Sequence, residues 1–508
     1  MNRKVIGSML IIGLVGIGII VFLQSPWYRS GDLSLPKEVK GGETSILEVS
    51  AQEKKDHPVK KFVLTAEEKQ WNISEDKKVS AWTYNGTVPG ESLRVTEGDV
   101  VQVKLVNELD VPVTIHWHGV LLPNKMDGIP GLTQDAVQPG ESFTYEFVAN
   151  DAGTYWYHSH QQSSIQVDKG LYGSLVVEEK EKEYKMDEVF ILDEWSVDQE
   201  REDISNMGGM MMGAMSGDGE ADTKQMYDTF TVNGKAGRAI EPLTMEAGEK
   251  ARLRFVNAGY QEHRLVFPKG SMRVIANDAE HVVSEDHESN VLEIAPGERM
   301  DVEFTKPEKE TVFIGQEQSV ENAEDMIIPV VSERNQNRHQ GATLAKEAGV
   351  AKGISYGSEK PIFGEIPEPD VTYDMDLSMG MSMGEGMSFQ INDETFPDTP
   401  PIHVKDGDIV KVTLRNNGRM NHPMHLHGHR FQVNSKNGRE FEKPIVKDLI
   451  HVKPGEEYVI YFKADNVGEW LFHCHDNNHA ARGMVTIVDY EGVYSPFDLG
   501  GEKENQPN

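Results

Sequence analysis

Apolar and polar residues alternate in short runs along this chain, as at Val101, Val103 and Leu105 and again at Val410, Val412 and Leu414. A period of two bounded by Gly and Asn predicts strands with one buried face, not helices. Further short strands are predicted over 142–147 and 458–462. Many short strands, frequent turns and little helical periodicity predict an all-β chain built of Greek-key sandwiches.

The alternation belongs to a longer repeat. Asn85–Gly86 precedes a run ending at Asn107, Asn233–Gly234 precedes one ending at Asn257, and Asn392–Asp393 precedes one ending at Asn416. Each run carries a Gly before its alternating stretch, at Gly98, Gly248 and Gly407. The anchors lie 148 and 159 residues apart, which is the size of a domain and not of a solenoid unit. The pattern therefore predicts three tandem domains at 60–180, 185–340 and 365–490, a number that the length of 508 residues accommodates. Residues 500–508 read as a frayed tail.

Acidic side chains outnumber basic ones by 33. That balance excludes nucleic-acid binding, which needs Lys and Arg against phosphates, and suits an extracytoplasmic or salt-adapted surface that draws cations. Residues 1–24 begin with Arg3 and Lys4, followed by 19 uncharged residues from Val5 to Leu23. Such a run is long enough to cross a bilayer core of ~30 Å as one helix. The stretch after it offers no small-residue cleavage pattern, so an uncleaved membrane anchor is expected over a cleaved signal, with the rest of the chain outside. Residues 25–59 read as a polar tether. With Cys474 as the one cysteine, no intrachain disulfide is possible and the thiol needs another reason to exist.

The neighbours of Cys474 supply that reason. Four His-rich motifs occur: His116 and His118; His158 and His160; His422, His425 and His427; and His473 and His475 around Cys474, followed by His479 and Met484. Residues i and i+2 of a strand share a face, so each His-x-His pair presents two imidazoles side by side. Four pairs give eight nitrogen ligands around one cavity, and imidazole suits copper. Cys474, lying between two such histidines, points to the opposite face. There it can join His422 and His479 in a His₂Cys site with Met484 as a weak axial ligand, the composition of an electron-transfer copper. Met484 as the axial ligand tends to give a lower potential than an apolar residue would, which favours easily oxidised donors.

These motifs resemble those of the multicopper oxidases, the laccase and copper-efflux oxidase family, over roughly residues 60–490. The resemblance implies three cupredoxin domains, four copper ions and reduction of O2 to water by four one-electron oxidations. It implies a type 1 copper on His422, Cys474, His479 and Met484, and a type 2 copper on His116 and His425. One type 3 copper would lie on His118, His158 and His475, the other on His160, His427 and His473. It also implies a cluster between the first and last domains, in keeping with Glu262–His263–Arg264 in place of a His-x-His in the second. Asp127 matches the family's cluster-adjacent aspartate and is the expected proton carrier, whereas Ala480 stands where many bacterial members carry a Glu on a proton path. The other eight histidines are expected to be ordinary surface or supporting residues.

The donor is less defined. Five methionines fall within 207–215 and five within 375–387, in Gly-rich surroundings that read as mobile loops. Thioethers select Cu(I), which favours cuprous-ion oxidation and copper tolerance. Phenols, ferrous and manganous ions are compatible with the same site. The alternative is a copper-tolerance protein that sequesters metal on its Met segments without turnover. The chain is expected to act as a monomer at the membrane's outer face.

Overall fold

The computed structural model describes residues 43–49, 52, 57–197, 227–284, 288–320, 322–332, 343–382 and 386–508. The expected membrane anchor and the methionine segment 207–215 lie outside the described residues. Among the described residues, no helix is long and apolar enough to cross a membrane.

The architecture is all-β, in three sandwiches. The first pairs a four-stranded sheet (Lys78–Tyr84, Val59–Asn72, Val100–Asn107, Ser142–Val148, in spatial order) with a second one (Gly90–Thr96, Tyr172–Glu178, Gly153–His158, His116–His118). The second sandwich packs a seven-stranded on a six-stranded sheet, and the third a six-stranded on a five-stranded sheet. Strands Val350–Ala351 and Gly357–Ser358 join the two sheets of the second sandwich. One apolar core runs through the first and third sandwiches and another fills the second.

The repeated asparagines show why the pattern recurs. Asn85, Asn233 and Asn392 all have positive φ (56°, 50° and 54°), which Asn tolerates better than most residues. Each side chain bonds back to the preceding strand: Asn85 Oδ1 accepts from Thr65 N, Asn233 Oδ1 from Ile191 N, and Asn392 Oδ1 from Asp376 N. Asn107, Asn257 and Asn416 are buried, and each donates to two main-chain carbonyls, one in the loop that follows it and one on a neighbouring segment. The same two solutions close the same two turns in every sandwich.

Two expectations need correction. Among the described residues, 375–382 and 386–387 do not form a loop: the strands Val371–Ser382 and Gly386–Ile391 pair antiparallel at the edge of a sheet, and Met383 lies outside the described residues. Met375 belongs to the core, since a strand that pairs with Ile409–Asn416 buries its inward residues. Nor is 500–508 frayed. Asn505 and Pro507 are buried, and the segment lies against the first sandwich through hydrogen bonds described below.

Candidate metal centre

The His-x-His pairs sit on short strands whose register brings them together. His116 is the cross-strand partner of His158 in the first sandwich, and His425 that of His473 in the third. Between the first pair, Trp117 turns inward onto Tyr145, Phe147 and Tyr157, so both flanking imidazoles turn the other way. The two sandwiches then face each other. His118 stacks on His425 with ring centroids 3.7 Å apart, and His116 on His427 at 3.9 Å.

Donor atoms within 4.8 Å of one another define the groups His116–His118–His158, His116–His425–His427 and His160–His427–His473, all buried. His475 closes the ring, its centroid 4.9 Å from His118 and 5.4 Å from His158. Several Nδ1 atoms donate to oxygen: His116 to the Asp127 carbonyl (3.0 Å), His158 to Ser159 (3.0 Å), His425 to Asp448 (2.9 Å) and His473 to Cys474 (2.9 Å). That bond fixes the tautomer and leaves a lone pair on Nε2, which in His473 lies 2.9 Å from Nε2 of His427.

Nε2 of His116, His158, His160 and His425, and both ring nitrogens of His118 and His475, are buried without a hydrogen-bond partner. An unmet buried polar atom costs about 1–3 kcal/mol, so a cluster of them aimed at one space fits metal ions and not an apolar core. Burial also holds the imidazoles of His118, His158, His160, His427, His473 and His475 well below the usual histidine range, hence neutral and able to ligate.

On the other side of the strand Glu469–Cys474 lies a second group. Cys474 Sγ is 3.6 Å from His479 Nδ1 and 3.7 Å from His422 Nδ1. Met484 is fully buried beside them and its carbonyl accepts from Cys474 N at 3.0 Å. Burial pushes the Cys474 thiol well above its ordinary range. A thiolate there needs a cation for company, which a His₂Cys copper site provides.

Asp127 follows a single turn, Asn124–Met126, and its carboxylate reaches across the sandwich interface: Oδ2 accepts from His427 Nδ1 at 2.9 Å, and Oδ1 lies 3.2 Å from His116 Nδ1. The next residue is Gly128 because a Cβ there would lie 1.8 Å from the Ile115 carbonyl oxygen. Ala480 packs in an apolar cluster with Ile129, Leu132, Leu471 and Val485, so no acid stands at that position.

Three groups escaped the sequence reading. Asp448 places Oδ1 3.5 Å from His118 Nε2 and 3.6 Å from His425 Nδ1, and its carboxylate is held by the fully buried Arg299 at 2.7 and 2.5 Å. The second sandwich, expected to hold no site, thus reaches the cluster edge through Arg299. Asp476 caps the helix Asn477–Ala481, accepting from Asn478 N at 3.0 Å, and its Oδ2 is 3.4 Å from His479 Nε2. The Pro507 carbonyl accepts from His160 Nδ1 at 2.5 Å, for which no local signal exists. Of the histidines set aside, His429 supports the cluster by donating to the His427 carbonyl, and His263 is buried beside Glu194. His57 and His403 are exposed, and His451 pairs with Glu262.

A cavity of about 280 Å³ opens beside His479, bordered by Glu262, Glu317, Met420, His451 and Asp476. Next to it stands the methionine hairpin. Met381 pairs with Met387 and Met379 with Phe389 across the two strands, all on one face. Met381 is 59 % exposed, whereas Phe389 is buried with its ring 3.9 Å from that of His479. The row therefore runs from solvent to the imidazole beside Cys474.

Known proteins carry the same organisation. Family models described as multicopper oxidase match residues 65–182, 189–323 and 368–491. The chain is 30 % identical to the multicopper oxidase MmcO of Mycobacterium tuberculosis, over 81 % of this chain and 83 % of that one. It is 27 % identical to a copper resistance protein A homolog of Pseudomonas syringae pv. tomato, over 85 % and 92 % respectively. The crystal structure of a multi-copper oxidase from Pseudomonas thermotolerans superposes with a TM-score of 0.65 at 28 % identity, covering 85 % of this chain and all of that one. The chain belongs to the multicopper oxidase family. It is an oxidoreductase with four copper ions as cofactor, one of type 1, one of type 2 and two of type 3, and O2 as electron acceptor.

Proposed function

We propose that this oxidase takes its electrons from cuprous ion at a type 1 copper held by His422, Cys474, His479 and Met484. In this reading His116 and His425 hold the type 2 copper. His118, His158 and His475 hold one type 3 copper, and His160, His427 and His473 the other. Bound there, the coppers would supply one-electron chemistry, coupling four donor oxidations and four protons to reduction of one O2 to two waters.

The chain's own part is positional. Cys474 and its neighbours His473 and His475 serve the two sites from opposite faces of one strand, which keeps the electron route a residue long. Asp127, the acid whose carboxylate touches His427, is the proton carrier. The observation that carries the donor is the row of side chains from exposed Met381 through Met387 and Met379 to Phe389 on His479. Thioethers suit Cu(I) and discriminate against harder ions. The Pseudomonas relative's name, copper resistance, favours the same donor. Phenols are a second reading, supported by the cavity beside His479.

Oxygen uptake with Cu(I), Fe(II) and a phenol, in the wild type and in the Met381→Ala/Met387→Ala double variant, separates these. The double variant is expected to lower kcat/KM for Cu(I) about tenfold, ~1.4 kcal/mol of transition-state binding, with phenol oxidation little changed. An equal loss for all donors removes the thioether row from the explanation.

The apolar run Val5–Leu23 and the positive charges before it support a further reading: an anchored monomer on the outer face of a membrane, with domains at 60–180, 185–340 and 365–490. The full chain is expected in the membrane fraction and a chain starting at residue 25 in the soluble one. Equal distribution of the two would sink the anchor.

A further inference from the structure

The segment after the last sandwich crosses back to the first. Asn505 is its buried anchor: Oδ1 accepts from Ala136 N at 2.8 Å, while Nδ2 donates to Asp135 Oδ1 at 2.9 Å and to the Asp498 carbonyl at 2.8 Å. Gln161 and Gln162 clasp the next residues. Gln161 Nε2 donates to the Glu504 carbonyl (2.7 Å), Gln161 Oε1 accepts from Gln506 N (2.9 Å), and Gln162 N donates to the Gln506 carbonyl (2.8 Å). These bonds bring the buried Pro507 over His160, whose Nδ1 donates to its carbonyl at 2.5 Å.

His160 is the last histidine of its motif, and Gln161 and Gln162 follow it directly. Gln162 has a left-handed φ of 47°, so the chain turns sharply here and no sheet neighbour holds His160 as Tyr172 holds His158. His158 finds its Nδ1 acceptor one residue away, at Ser159; His160 finds its own 347 residues away. Ala136 and Asp135, on the other side of the segment, belong to the loop that follows Asp127. The segment therefore ties together two loops that carry groups of the metal centre, and it does so from the third sandwich to the first.

We propose that the Pro507 carbonyl is a positioning group for the copper cluster. By accepting from His160 Nδ1 it fixes the tautomer and ring plane that aim Nε2 at the metal, and residues 500–508 act as the strap that holds it there. The proposal rests on His160 being a copper ligand. Loss of an outer hydrogen-bond partner of a ligating histidine weakens metal retention by about 10- to 100-fold. The effect is local to one type 3 position, because the hydrogen bonds of the strap described above go to His160, Gln161, Gln162, Asp135 and Ala136 and not to His422, Cys474, His479 or Met484.

The test uses holoprotein truncated after Asn505, which removes the carbonyl and keeps the anchor. Copper per chain is measured across a chelator series, with the electron paramagnetic resonance spectrum and the blue absorption recorded alongside. The truncated protein is expected to keep its blue absorption and to release one copper at about 10- to 100-fold lower chelator than the wild type. The partner copper, no longer paired, gives a new paramagnetic signal. Pro507→Ala keeps a carbonyl in place and is expected to retain the full copper load. Should the truncation fail to fold, Asn505→Ala loosens the strap and is expected to shift release in the same direction. A truncated protein that melts earlier but holds copper as the wild type does makes the strap merely structural and overturns the proposal. His160→Ala is the separating control: if it keeps all four coppers, the ligand assignment itself fails, whatever the truncation does.

Discussion

Asp476 shows how one side chain serves a local fold and a metal site at once. Its carboxylate accepts from Asn478 N and His479 N at the start of the helix Asn477–Ala481, and its Oδ2 lies 3.4 Å from Nε2 of the imidazole whose Nδ1 faces Cys474. Burial pushes its carboxyl up to about 6, the opposite of what a strong ion pair would do. Capping is therefore the larger of its two roles. Asp476→Ala is expected to cost about 0.5–2 kcal/mol by loss of the cap and to loosen His479, visible as a lower melting midpoint with a shifted blue band. Asp476→Asn caps nearly as well and should keep the wild-type midpoint. If Asn and Ala destabilise equally, charge and not capping is what His479 needs. Cys474 is legible at this scale from its two neighbours alone, because a period of two decides which face each residue takes. Asp476 is not: a cap is visible in a sequence only once the helix it starts is known, and this helix has five residues.

At the scale of elements, the short strands His116–His118, His422–Leu426 and Glu469–Cys474 could be read directly. They carry or begin the pairs of ligands at i and i+2, with a buried residue between each pair: Trp117 in the first, Leu426 in the second and Cys474 in the third. The hairpin Val371–Ile391 was misread as a loop, although the information was present. Met375, Leu377, Met379 and Met381 alternate at a strand's period, and burial falls along them from fully buried to exposed. Glycine content hid this. Gly380 is a strand residue paired with Ser388, and the Gln390 amide lies over it, where a Cβ would be 2.6 Å from Nε2. The strap at 500–508 was hidden for a different reason. Its polar composition is that of a tail, and only partners more than 340 residues away in the chain, at Gln161, Gln162 and Ala136, pair those polar groups and bury Asn505.

For the whole molecule, the question is what the second sandwich does, having no ligand of its own. Arg299 gives a physical answer. It leaves the strand Arg299–Thr305 of the second sandwich, donates through Nε to the Thr154 carbonyl of the first at 3.2 Å, and grips both oxygens of Asp448 in the third. Gly119 makes room for it, since a Cβ there would lie 2.4 Å from Arg299 Nη2. Burial would raise the Asp448 carboxyl, but the guanidinium holds it down to about 2, so the pair is charged and dry. Arg299 also lies 3.4 Å from Asp278, which Lys447 approaches to 3.0 Å, so the pair sits in a buried charge network; removing Arg299 strips Asp448 of its bidentate partner, at a cost of about 3–5 kcal/mol. The Asp448 charge would then sit beside His118 and His425. Arg299→Met is thus expected to destabilise the protein by about that amount and to disturb copper at the cluster while the blue site is unchanged. Replacing both, Arg299→Met with Asp448→Leu, removes the charge stranded at Asp448 while Asp278 keeps Lys447 as its partner, and should recover part of the stability, because apolar substitutes for a buried pair are often neutral. The copper cluster should not recover with it, since its neighbouring anion is gone. Denaturant unfolding and copper analysis on the three variants decide the matter. A single variant that loses less than about 1 kcal/mol would mean that the second sandwich is only a spacer between the two that bind metal.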